Sequence, residues 1–425
     1  MSEGRAWFGQ PRGLTILFLT NMWEQFSYYG MRALLVYYMT KQLLMTQGSA
    51  SIVYGAYTAC AYFTPIVGGV IADRLLGKRR AIIVGGSIMA AGHFMMAFEP
   101  LFYPALATIA IGNGLFLPSL PSQIDDLYEP GDPRVGWAYN VYYVGVNIGG
   151  FLAPLVCGTL GELYGWHWGF GAAGIGMVVG LATYLWGQRY LPDQARCPEI
   201  ERAAAPRLRF PRETAILLLA IGLSVTVFRS AYEQVGNTVA LWADTGVDRR
   251  AAGSTIPMTW FQALNPLLVM VMTPPLLAMW RRRAARGQSA RPARKMAAGA
   301  AIVAVAYTLL AALEWVGGPA HWVWLALFFA VLTLGELYIL PTGLGLFARL
   351  APQGLRATTV AAWYLATFAG SLSAGLVGTL WSRTSHASFF LLLAALAALA
   401  GLLLRALDPL EQRLEPASRE PHMRG

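Results

Sequence analysis

Five ionisable residues, Glu24, Arg32, Arg229, Glu233 and Glu336, stand inside stretches of sequence apolar enough to cross a bilayer. An ionised group at membrane depth costs roughly 3 kcal/mol or more on insertion scales. A chain built only to sit in lipid would exclude such groups. Carboxylates and guanidinium groups in these places usually line a polar cavity and handle a charged substrate, an ion or both. Arg229 and Glu233 are four residues apart, the spacing at which two side chains on one helix meet and pair; that pair reads equally well as an internal structural contact. Glu336 has no opposite charge close to it in sequence, and Arg32 lies deep among apolar residues, so a purely structural role is the less favoured alternative for each.

Around these charges the polar residues follow helical spacing. In NMWEQFSYYGMR, residues Asn21, Gln25, Tyr28, Tyr29 and Arg32 recur at steps of three and four, which puts them on one face of a helix, with Glu24 at its edge. Tyr143, Asn147 and Gly150 repeat the pattern, Gln262 and Asn265 precede Pro266, and Glu336 stands five residues before Pro341. Tyrosine stripes also arise from packing or from interface belts, and His93, His167, His321 and His386, in or near span ends, read as packing or interface residues. Cys60, Cys157 and Cys197 have no metal-ligand spacing. No His/Glu metal motif, Gly-x-Ser-x-Gly elbow or pair of catalytic aspartates occurs in the spans. The expectation is a non-enzymatic protein without metal or cofactor.

The elements that must position these residues are membrane helices. Of the 425 residues 56% are hydrophobic and 13% charged, with mean hydropathy +0.48, against about 25% charged in soluble domains. A spanning helix needs roughly 20 mostly apolar residues. Such runs fall near 14–41, 50–72, 80–98, 101–124, 135–160, 166–190, 214–243, 254–280, 296–317, 320–348, 355–382 and 385–407, which predicts an all-α integral membrane protein of twelve spans. Arginines and lysines concentrate after spans 2, 6, 8 and 12, while the alternate loops nearly lack them, apart from Arg249 and Arg250. The positive-inside rule then places both termini in the cytoplasm. The net charge of +10 records topology and contact with anionic lipid, not a nucleic-acid partner. The proline-punctuated segment 191–213 divides the spans six and six. The expected domains are a bundle over 1–190, a linker over 191–213, a second bundle over 214–408 and a charged tail over 409–425, with substrate near mid-bilayer between the bundles. The first span lacks a small-residue cleavage pattern, so no removable signal peptide is expected.

Taken in order, WEQFSYYGMRALL, GGVIADRLLGKRRAI, YYVGVNIGGFLAP, YGWHWGFGAAGIGM, WFQALNPLL and GELYILPTGLGL resemble the proton-dependent oligopeptide transporter family of the major facilitator superfamily, in its plain twelve-span form. The resemblance implies two six-helix bundles with the substrate peptide lying between them, protons as the coupled ion and a monomeric protein. By position, Arg32 would clamp the peptide carboxylate and Glu336 would meet the amino terminus. Tyr28, Tyr29, Tyr62, Asn147, Asn265 and Trp363 would shape the pocket. Glu24, Glu233 and Glu336, with Arg229, would serve proton coupling and gating.

The departures from the family pattern matter as much. The span 1 signature Glu-x-x-Glu-Arg becomes Asn21, Glu24 and Gln25, and Leu117 stands where a span 4 lysine is usual. The family pattern has acids at positions 21, 24, 233 and 336 and bases at 25, 32 and 117, a sum of −1. This chain keeps acids at 24, 233 and 336 and bases at 32 and 229, again −1, which is consistent with a rebuilt charge network. The first reading is a bacterial inner-membrane importer of di- and tripeptides or close mimics, driven by protons. The alternatives are an offshoot that moves a modified peptide or peptide-like metabolite by uniport or export, and a non-transporting peptide receptor or sensor. Losing the cation at 117 weakens the grip on a free carboxylate, so Leu117→Lys is expected to raise dipeptide affinity in a binding assay; no gain counts against this reading.

Overall fold

The computed structural model describes residues 9–129, 132–192, 211–251, 253–288, 290–351 and 355–414. Most of the expected linker and the end of the expected tail lie outside these residues. Each of the twelve apolar runs holds a long helix: α1 (Arg12–Tyr37), α2 (Gln47–Ile71), α3 (Lys78–Met95), α4 (Phe102–Ser119), α5 (Val135–Ala153), α6 (Trp166–Gly187), α7 (Arg212–Tyr232), α8 (Leu264–Ala285), α9 (Pro292–Val316), α10 (Trp322–Arg349), α11 (Arg356–Gly378) and α12 (His386–Ala406). Among the described residues, ten helical stretches are long and apolar enough to cross a membrane by length and composition. α1 and α3 are outside that set for a local reason: α1 carries the polar stripe, and α3 opens on Lys78, Arg79 and Arg80.

Helix boundaries follow backbone chemistry. Pro11 and Pro211 precede α1 and α7, and Pro292 opens α9, where a missing N–H is no loss. α2 widens into a π turn over Ala72–Leu76 and stops at Gly77, whose φ of 76° suits glycine. The Gly77 amide donates to the Ala72 carbonyl at 2.7 Å, and the chain then starts α3.

The chain forms two compact units that interleave in sequence. The first comprises Met1–Met45, Cys60–Glu201 and Arg249–Met270; the second comprises Thr46–Ala59, Arg202–Asp248 and Val271–Gly425. α2 and α8 therefore each contribute one portion to each unit. In the first unit α1 packs against α5 and α6, and α3 against α4 and α6. In the second, α9 packs against α10 and α12, and α7 against α11 and α12.

Small residues set the helix separations, as expected where lipid supplies no hydrophobic drive for association. The Gly145–Gly149 spacing of α5 lies against α1: a Cβ at Gly149 would sit 2.2 Å from the Met22 carbonyl oxygen, and one at Gly145 3.1 Å from that of Phe18. In the second unit, Gly299 and Gly335 approach backbone to backbone between α9 and α10. Overpacking such a contact costs roughly 1–3 kcal/mol. Gly149→Ala is expected to lower the thermal midpoint of the purified protein. Gly171→Ala in α6, where an added Cβ meets nothing within 4 Å, serves as the control and should leave the midpoint unchanged or slightly raised.

Candidate substrate and proton site

The polar face of α1 belongs to the first unit. Glu24 is buried at 1% exposure and Gln25 at 8%. Gln25 Nε2 donates to Glu24 Oε2 at 2.6 Å, so an amide stands beside the carboxylate where the family pattern has a guanidinium. Asn21 Nδ2 donates to the Tyr142 carbonyl of α5 at 3.1 Å, fixing the α1 stripe against α5. Tyr28 and Tyr29 are half-buried and meet edge to face, with ring centroids 5.4 Å apart. Arg32 follows one turn after Tyr28 and is half-buried.

α5 and the start of α8 complete this neighbourhood. Asn147 is buried and donates back to the Tyr143 carbonyl at 2.9 Å, which holds its side chain against its own helix. One turn later, a Cβ at Gly150 would lie 3.2 Å from the Tyr29 ring and 3.5 Å from Pro266. The missing side chain lets Tyr29, α5 and the Asn265–Pro266 step converge. Tyr62 sits half-buried on α2 beside Ala61, whose carbonyl accepts from the buried Asn113 of α4 at 3.1 Å. Leu117, half-buried in α4, is an apolar side chain one residue before Pro118.

The second unit carries the other charges. Arg229 and Glu233 form a buried ion pair along α7, with side chains 4% and 1% exposed. The Arg229 guanidinium also lies over the Tyr232 ring, 5.3 Å from its centroid. The Tyr232 hydroxyl in turn makes a hydrogen bond with Glu336 of α10. A chain of contacts thus runs Glu233, Arg229, Tyr232, Glu336. Trp363 of α11 is not part of it: it is buried against Gly343 and Phe347, its ring 5.4 Å from that of Phe347. Seven residues separate Glu336 from Gly343, roughly 10 Å along α10.

Two polar constellations had no sequence signal. Glu162, just after α5, accepts from the Met258 amide at 3.0 Å, the Thr259 amide at 2.9 Å and the Thr259 hydroxyl at 2.6 Å. It caps the short helix Met258–Ala263 that leads into α8, where unpaired N–H groups favour an anion. In the second unit, Gln47 donates to Ser51 at 2.7 Å and Ser51 to Asn237 at 3.0 Å, while Asn237 and Thr238 both donate to Gln234 Oε1. Gln234 Nε2 closes this network on the Ala374 carbonyl of α11 at 2.8 Å. Its members come from segments some 140 to 190 residues apart, so spacing within one helix could not reveal it.

Membrane-length helices, with a polar stripe on α1 and a buried ion pair on α7, in a fold of the major facilitator type, define the class of multi-pass membrane transporters. A family model described as the POT family matches residues 79–210 and 211–392, and the chain belongs to that family. It is 30% identical to a di-/tripeptide transporter of Lactococcus lactis subsp. cremoris, over 94% of this chain and 95% of that one. It is 29% identical to the peptide transporter YePEPT of Yersinia enterocolitica, over 88% and 89%. A crystal structure of a peptide transporter of the same family in complex with sulfate superposes with a TM-score of 0.87 at 29% identity, covering 96% of this chain and 97% of that one.

The Glu162 cap yields a direct test. Glu162→Ala leaves two amides and a hydroxyl without their acceptor, at roughly 1–3 kcal/mol for each group that stays dry. A drop of several degrees in the thermal midpoint is expected, with Glu162→Gln intermediate because an amide oxygen can still accept.

Proposed function

We propose that this protein is a secondary active transporter that imports di- and tripeptides or close mimics by proton symport, with alternating access, across a bacterial inner membrane with both termini cytoplasmic. The observation that carries the reading is the placement of opposite charges in apolar helices. Arg32 follows Tyr28 and Tyr29 on α1 in a unit that also holds Asn147 and Asn265, and Glu336 is bonded by Tyr232 in the other unit. A zwitterionic peptide needs a cation for its carboxylate and an anion for its amine. Charge-assisted bonds to the two termini give affinity while leaving side-chain identity loosely read. In this reading Arg32 takes the carboxylate and Glu336 the amine, while Tyr28, Tyr29, Tyr62, Asn147, Asn265 and Trp363 shape the pocket and contact the peptide. Glu24, Glu233 and Glu336, with Arg229, serve proton coupling and gating in this reading. The names of the relatives support the substrate class, and the protein works as a monomer through two bundles that divide at 191–213.

A second reading has its own support. Asn21, Gln25 and Leu117 are neutral, and Gln25 gives Glu24 an amide partner; a reduced charge set of this kind suits uniport or export of a modified peptide. Liposomes containing the purified protein separate the two. Uptake of labelled dialanine above equilibrium, only with an imposed acid-outside gradient, is expected for symport. Saturable entry that merely equilibrates with or without the gradient identifies a uniporter. Binding without any flux makes the protein a receptor.

A further inference from the structure

A groove of about 400 Å³ runs between α7 and α11 within the second unit and is lined also by Phe347 of α10. Its volume falls in the range of small-molecule sites. The α7 wall steps through Ala215, Leu219, Gly222 and Thr226, and the α11 wall through Thr358, Ala362, Leu365 and Ala369. Both sets advance by four, three and four residues, so each lies on one face of its helix. From Ala215 to Thr226, and from Thr358 to Ala369, is roughly 16 Å of helix.

The groove is apolar because its hydroxyls are turned to the backbone. That of Thr226 is shared between the Gly222 and Ala366 carbonyls, at 3.0 and 3.1 Å, and that of Thr359 goes to the Leu355 carbonyl at 2.9 Å. Gly222 keeps the space open, since an added Cβ there would stand 3.6 Å from Ala366 Cβ. Leu219, Leu223 and Leu365 line it and are more than half exposed in the folded chain. Exposed apolar side chains on a membrane span meet hydrocarbon rather than water. Half of a hydrocarbon core roughly 30 Å thick is about 15 Å, so the groove is as long as one leaflet is deep.

One end of the groove is cationic. Arg212 opens α7 one turn before Ala215, with Glu213 beside it; Arg356 opens α11 just before Thr358, and Arg349 ends α10 just after Phe347. Among the described residues no side chain caps the start of α7 or α11, and uncapped helix starts favour an anion. An apolar slot one leaflet long, with positive charge at its membrane-surface end, has the shape and polarity of a phospholipid.

We propose that the α7–α11 groove holds one acyl chain of an anionic phospholipid, whose headgroup sits at the two helix starts beside Arg212. In the topology proposed above, this lipid belongs to the inner leaflet. The groove ends at Ala369, next to Gly370, where a Cβ would lie 2.4 Å from Arg229 Cβ. A bound chain therefore fills the space between two helices just before they converge at the Arg229–Glu233 pair. The inference goes beyond the transport reading and does not depend on proton coupling.

The probe is a phosphatidylglycerol with a photoactivatable diazirine on one acyl chain, held at fixed content in phosphatidylcholine vesicles that contain the unmodified protein. Adducts mapped by mass spectrometry are expected within 215–226 and 358–369. Replacing part of the phosphatidylcholine by unlabelled phosphatidylglycerol should erase them. It should spare adducts at Leu372 and Leu376, exposed residues of α11 outside the groove. Ala362→Trp, made from an exposed position, fills the groove and should remove its adducts alone. Arg212→Gln is expected to weaken the preference for phosphatidylglycerol roughly fivefold, the worth of one cation near anionic lipid. Groove adducts that fall only in step with those at Leu372 and Leu376, or that form equally with a phosphatidylcholine probe, identify ordinary boundary lipid and overturn the proposal. Cross-links that seat a second copy of the chain on the groove overturn it as well. The competition on the unmodified protein decides the matter even if a variant does not fold.

Discussion

Taking a charge out of water is the cost around which this protein is arranged. Hydrocarbon offers no hydrogen bonds, so each polar group placed in a span must bring its partner with it. The backbone meets the requirement by being helical. The side chains meet it locally where they can: Gln25 serves Glu24, Arg229 serves Glu233, Tyr232 serves Glu336, and Asn147 bonds within its own helix. These partners lie on the same helix or on another helix of the same unit.

Close packing is the second half of the same solution. Side-chain partners can be short only if the helices stand close, and glycine allows that. Gly149 brings α5 against α1 beside the polar stripe, Gly150 admits the Tyr29 ring, and Gly370 lets α11 pass over the stem of Arg229. Each of these glycines is next to a polar residue of the candidate site. Their positions tie packing to chemistry, because a side chain at any of them would move the very helix that carries a charge.

The sequence showed these features unevenly, for identifiable reasons. The α1 stripe was legible because its residues repeat with the helical period, and the Arg229–Glu233 pair because four residues is one turn. The twelve helices followed from runs of apolar residues, and the turns from proline and glycine. Contacts between distant segments were not legible. Glu162 meets Thr259 across 97 residues, and Ser51 meets Asn237 across 186; no periodicity links such positions. The interleaving of the two compact units was hidden for the same reason, since it depends on which portions of α2 and α8 pack where. Trp363, named by the family pattern as a pocket residue, packs on Gly343 and Phe347 of α10.

The two units solve the burial of a carboxylate in opposite ways, and the difference has a chemical meaning. In the first, Glu24 is held by a neutral amide; in the second, Glu233 is held by a full countercharge. A neutral partner tolerates either protonation state of its carboxyl group, while a cation tolerates one. Replacing the arginine expected at position 25 by glutamine, and placing an arginine at 229, therefore does more than conserve the sum of −1. It places a fixed positive charge beside Glu233 where the family pattern has one beside Glu24. Net charge is thus conserved while the position of the fixed positive charge is not, and the field at each carboxyl group depends on its immediate partner more than on the total.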